Sequence, residues 1–198
     1  MEERNISHQE SMQIITEMIG KAKQGFHESG ISAVLWGSVI GLCGLVNFAE
    51  TYWHFYIGFN IWLLTLAAII PQVVISIRES RQRKVLTHIE WAADVVWIVY
   101  AISIFALNFY ISTVPNVPSL FSLFLLLYAI PTLACGILYK FKIMMWAGLL
   151  CYGFFVISCF TPTVYDMLLN GLAGIFNWLI PGLILRRRIY KKKKAMHV

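Results

Sequence analysis

Six apolar stretches of near-equal length, with every Lys and Arg confined to alternate gaps between them, constrain this chain more than any other feature. They run over 30–49, 55–77, 91–111, 119–139, 143–160 and 167–185. Each approaches the ~20 residues that a helix rising ~1.5 Å per residue needs to cross ~30 Å of hydrocarbon. Arg78, Arg81, Arg83 and Lys84 follow the second stretch, Lys140 and Lys142 lie between the fourth and fifth, and Arg186, Arg187, Arg188, Lys191, Lys192, Lys193 and Lys194 follow the sixth. Arg4, Lys21 and Lys23 precede the first, and the remaining gaps carry no cation. The positive-inside rule then predicts that both termini are cytoplasmic.

With 198 residues, 59% of them hydrophobic and 13% charged, the chain divides into a head (1–29), a six-helix transmembrane domain (30–185) and a basic tail (186–198). The predicted class is an all-α membrane protein. The head carries five Glu against three Lys and Arg and has no apolar core, so it does not read as a cleavable signal peptide. A net charge of +6 whose cations border membrane segments points to anionic lipid head groups as partners and away from nucleic acid. Cys43, Cys135, Cys151 and Cys159 all fall within apolar stretches without ligand spacing. They read as small buried hydrophobes, with no disulfide, metal or cofactor expected.

Within the head, Ser7 and Glu10 have capping-box spacing, which lets each side chain satisfy the other residue's free backbone N–H. At about 100° per residue, Ile14, Ile15, Met18, Ile19, Ala22 and Phe26 share about 140° of arc. The opposite face is nearly neutral, which favours docking on the bundle or on a cytoplasmic protein over lying on anionic lipid.

Trp36 and Pro71, Trp97 and Pro131, and Trp146 and Pro181 recur at nearly constant separation, with Ile before each Pro. The pattern fits either three parallel-repeat hairpins or the interfacial Trp and tolerated Pro that recur in any membrane helix. Ala33, Gly37 and Gly41 form a smooth face on the first helix, and Gly171 and Gly174 a similar one on the sixth, where another backbone can approach closely.

Candidate chemistry is sparse. Asp94 stands about one turn inside the third crossing, where an ionised carboxylate requires partners; Glu90 has capping-box spacing with Thr87. Arg78 and the Arg186 to Arg188 run lie at the same level, so a structural ion pair competes with a proton or cation site. Asn177 precedes the Ile180-Pro181-Gly182 break, where it either satisfies the carbonyls that Pro181 frees or lines a cavity. Asn47, Glu50, His54, Asn60 and Asn108 cluster in depth at the outer end, as a polar vestibule or as ordinary interfacial residues. The seven tail cations form an electrostatic anchor on head groups. No metalloprotease pair, nucleophile elbow or phosphate loop is present, which argues against an enzyme.

Glu10-Ser11-Met12, Ile15, Met18-Ile19 and Lys23, then Leu35-Trp36-Gly37 and Ile180-Pro181-Gly182 before a basic tail, together resemble a group of uncharacterised six-helix integral membrane proteins of Bacteroidota. Ala22 stands where that group has Thr or Ser. The resemblance implies a bacterial inner-membrane location and carries no activity. The expectation is a non-enzymatic sensor, regulator or scaffold that engages a cytoplasmic partner or the anionic leaflet, with homo-oligomers compatible. The alternative is a small transporter or channel using Asp94 and Asn177.

Overall fold

The computed structural model describes residues 30–82, 88–114 and 121–196, with side chains through Lys191 except that of Gln82. The head helix with Ile14, Ile15, Met18, Ile19 and Phe26, the cap residue Thr87, and the side chains of Lys192, Lys193 and Lys194 lie outside that description. Among the described residues the chain is helical, in the order α1 (Ile31–Trp53), α2 (Leu63–Gln82), α3 (His88–Thr113), α4 (Phe121–Leu138), α5 (Lys142–Ser158), α6 (Thr163–Gly174), a π turn (Ile175–Leu179) and α7 (Ile180–Met196). Five helices are long and apolar enough to cross a membrane: α1, α2, α3, α4 and the continuous run Thr163–Lys191 through α6, the π turn and α7. The fifth crossing, α5, is apolar but shorter, at 17 residues.

The boundaries differ from the hydropathy reading where aromatic residues mask a turn. The second crossing starts at Leu63, not Phe55. His54 ends α1 in the left-handed conformation, Gly58 has φ 97°, and the Asn60 side chain accepts the Trp62 N–H at 3.0 Å. Those local devices hold 54–62 as a connection, although Phe55, Tyr56, Ile57 and Phe59 look apolar enough to continue a span. The sixth crossing starts at Thr163 rather than Met167, which moves Asp166 from a loop into a helix.

Two seams hold the core together. Antiparallel α1 lies along α6 and the π turn, and α4 lies along α5. At the first seam the small-residue faces expected on both helices meet each other: a Cβ on Gly37 would fall 2.2 Å from the Leu179 N, on Gly44 2.4 Å from the Gly171 N, and on Gly174 2.9 Å from the Gly41 N. Gly30, at φ 70°, extends the seam to the basic end, where a Cβ would meet the Gly182 carbonyl at 2.8 Å. Without a hydrophobic force to drive helices together in lipid, such close backbone approach supplies the dispersion contact.

Helices α2 and α3 are peripheral. Among the described helices, α2 packs on α1 and α3 mainly on α4, and both expose long apolar faces such as Leu66, Ile70 and Val73, and Ile98, Ile102 and Phe105. A polar clasp secures α2: Gln72 accepts the Trp36 Nε1–H at 3.1 Å and donates to Ser32 Oγ at 3.2 Å and Ser76 Oγ at 3.1 Å. The three Trp residues of the repeat pattern have different surroundings. Trp36 and Trp97 pack on the core, whereas Trp146 is 70% exposed.

Candidate polar site in the bundle core

The α6–π–α7 run is the central element, touching α1, α4 and α5 along its length. Its inner face carries three polar residues, Asp166, Asn170 and Asn177, all essentially inaccessible to solvent. At about 100° per residue they share one face of a helix, with ~10 Å along the axis between Asn170 and Asn177.

The Asp166 and Asn170 pair is well connected. Asp166 Oδ2 accepts the Ser122 hydroxyl at 3.1 Å, and the Asn170 Nδ2 donates to the Phe121 carbonyl at 2.7 Å and the Asp166 carbonyl at 2.9 Å. Ser122 and Phe121 open α4, and Asp166 lies in the first turn of α6, so the carboxylate sits between two positive helix ends. This pair joins α4 to α6. Asn170 Oδ1 is left buried without a hydrogen bond.

Asn177 differs from that pair. It lies in the π turn, near mid-span, 1% exposed, and neither its Oδ1 nor its Nδ2 makes a hydrogen bond. The Cys151 thiol of α5 is its polar neighbour, but that thiol donates to the Leu125 carbonyl at 3.3 Å. The sequence reading that Asn177 serves carbonyls freed by Pro181 is therefore corrected. Rewiring of the backbone meets the proline instead: Ile180 N–H reaches back five residues to the Ile175 carbonyl. The wider turn relieves the clash of a proline ring with the preceding turn.

Next to Asn177, Trp178 turns into an aromatic cluster. Its ring centroid lies 5.0 Å from Tyr128, 6.2 Å from Tyr100 and 6.3 Å from Trp97, so it joins the π turn to α3 and α4. Its Nε1–H donates to Thr132 Oγ1 at 3.2 Å, and the Thr132 hydroxyl donates to the Tyr128 carbonyl at 2.7 Å.

The other sequence candidates lie elsewhere. Glu90 is buried and Asp94 half-buried near the start of α3. Asp94 is on a different helix from the polar face of α6, and Asn177 turns toward α5. The five outer residues are engaged locally. Asn47 Oδ1 accepts the Trp62 Nε1–H at 3.2 Å, Glu50 Oε1 accepts the Ile57 N–H at 2.9 Å, Asn60 and His54 shape the α1–α2 turn, and Asn108 donates to its own helix at the Ile104 carbonyl at 2.8 Å. Cys43, Cys135 and Cys151 are buried as expected, while Cys159 is exposed at the end of α5. Among the described residues, no group of three His, Cys, Asp or Glu side chains is placed to hold a metal ion.

Comparison with family models, curated proteins and solved structures gives no match. The site is thus read from its own chemistry.

Proposed function

We propose that this is a multi-pass protein of a bacterial inner membrane, with both termini cytoplasmic, that lets a small hydrophilic solute or ion bind and pass at the level of Asn177. The observation that carries this reading is the Asn177 side chain, buried in the core with a donor and an acceptor both unused. A buried polar group without partners costs about 1–3 kcal/mol, and polar groups kept at such a cost inside membrane bundles mark solute and ion paths. Its position fits, because membrane transporters bind near the bilayer midplane where a helix departs from α geometry. Asn170 adds a second station toward the outer end. Asp166 and Asn170 replace Asp94 as the companions of Asn177. The Trp-to-Pro spacing supports reading the crossings as three hairpins of one orientation, and neither this reading nor the next includes a catalytic step.

Flux in proteoliposomes tests it, with proton leak followed by an internal pH dye and small neutral solutes by osmotic swelling. Asn177→Leu is expected to abolish the flux while the protein stays folded. Wild-type liposomes no leakier than empty ones, or full flux in Asn177→Leu, would overturn the proposal.

The amphipathic head favours a second reading, a sensor, regulator or scaffold that docks a cytoplasmic protein through Ile14, Ile15, Met18, Ile19 and Phe26. Removal of residues 1–25 would then abolish co-purification of that protein and leave membrane insertion intact.

A further inference from the structure

The basic end of α7 carries two unlike faces. Leu185 packs beside Gly30, and the Arg188 guanidinium lies 5.2 Å from the centre of the Phe141 ring, so this face is tied to the bundle. On the other side, Leu183, Arg186, Arg187, Tyr190 and Lys191 line one open groove of about 260 Å³. At 100° per residue these five positions share about 140° of arc. Arg186, Arg187 and Lys191 bring three cations, Tyr190 a phenol that is 72% exposed, and Leu183 an apolar floor on the side facing the membrane span.

We infer that this groove is a discrete binding site for one anionic phospholipid. Its phosphate is held by Arg186, Arg187 and Lys191 with Tyr190, and the start of an acyl chain lies along Leu183. The charge complementarity is direct, since guanidinium forks suit phosphate oxygens in a way that a diffuse ammonium cloud does not. Along the helix axis the lining runs from apolar Leu183 to the polar set Arg186, Arg187, Tyr190 and Lys191, which matches the order of tail and head group in a leaflet. The site differs from the generic attraction of a basic tail in using one face of α7: at 100° per residue, positions 192 and 193 fall outside its arc. It requires only that the bundle spans a membrane, and it is independent of flux through the core.

The test is native mass spectrometry of the full-length protein in mild detergent, with phosphatidylglycerol or phosphatidylcholine added. The wild type is expected to keep one phosphatidylglycerol under activation that strips phosphatidylcholine. Arg186→Gln with Arg187→Gln should reduce retention roughly tenfold or more, and Tyr190→Ala, a neutral change, should reduce it too. Lys192→Gln with Lys193→Gln, two positions outside that arc, removes equal charge and should leave retention nearly intact. If the Lys192 and Lys193 variant loses as much lipid as the Arg186 and Arg187 variant, or Tyr190→Ala loses none, the attraction is diffuse and the site is wrong. Equal displacement by millimolar inorganic phosphate would show that the acyl chain adds nothing, and would overturn the lipid assignment.

Discussion

Gly44 and Gly171 touch backbone to backbone: a side-chain carbon on Gly44 would fall 2.4 Å from the Gly171 nitrogen and 2.5 Å from its Cα. No side chain stands there to rotate away, so even one methyl group must push α1 and α6 apart. Gly44→Ala is expected to destabilise the bundle by about 1–3 kcal/mol, the usual cost of overpacking. Gly153→Ala on α5 is the control, since nothing lies within 4 Å of that position. Thermal unfolding of both variants in the same detergent checks the contrast, and similar midpoints would contradict the seam.

Asn177→Leu should separate stability from activity. Removing a buried amide that makes no hydrogen bonds takes away a desolvation cost of about 1–3 kcal/mol, while leucine fills a similar space. The melting temperature is expected to hold or rise, and transport activity to fall. A clear loss of stability would instead assign Asn177 a structural role.

The Trp178–Thr132 hydrogen bond predicts a coupling. Trp178→Phe keeps most of the ring contact with Tyr128 and loses the Nε1–H, and Thr132→Val removes the acceptor. Each single change should cost about 1 kcal/mol. The double variant should cost less than the sum, because the second change removes a group already deprived of its partner. Additive losses would argue against the bond.

Near the start of α6, Asn170→Leu removes two donated hydrogen bonds to the Phe121 and Asp166 carbonyls. At about 1 kcal/mol each, it should lower stability by about 2 kcal/mol, the opposite sign to Asn177→Leu on the same face. Two asparagines seven residues apart would thus respond oppositely to one substitution. Chemical denaturation of the two variants side by side measures this.

Much of the helical fold was legible because apolar runs of membrane length are hard to read otherwise. The faces of Gly37 and Gly41 and of Gly171 and Gly174 were legible as close-packing surfaces, though nothing in the sequence said that they would pack on each other. The turn at 54–62 was not legible, since Phe55, Tyr56, Ile57 and Phe59 carry the hydropathy of a span, and only Gly58 and Asn60 hint at a break. Asp166 was missed because it lies one residue before the apolar run begins, and hydropathy places a carboxylate outside by default. The available signal was periodic: Asp166, Asn170 and Asn177 fall on a single helical face, so the run from Thr163 reads as one helix with a polar interior stripe. Asp94 drew notice for standing alone in an apolar run, which says nothing about which wall of the bundle it faces.

The glycine seam also sets an order of assembly. Helix α1 is made before α2 to α5, whereas the backbone it fits, on α6 and the π turn, is made only after them. Until then α1 is engaged by α2 and the turn before it, through the Gln72 clasp and the Asn47–Trp62 hydrogen bond, and its bare groove waits in the bilayer while three further helices insert. Closure of the bundle is therefore a late event that joins α1 to α6. A polypeptide truncated before Thr163 would leave that groove open to lipid, a state that membrane quality control can recognise as unfinished.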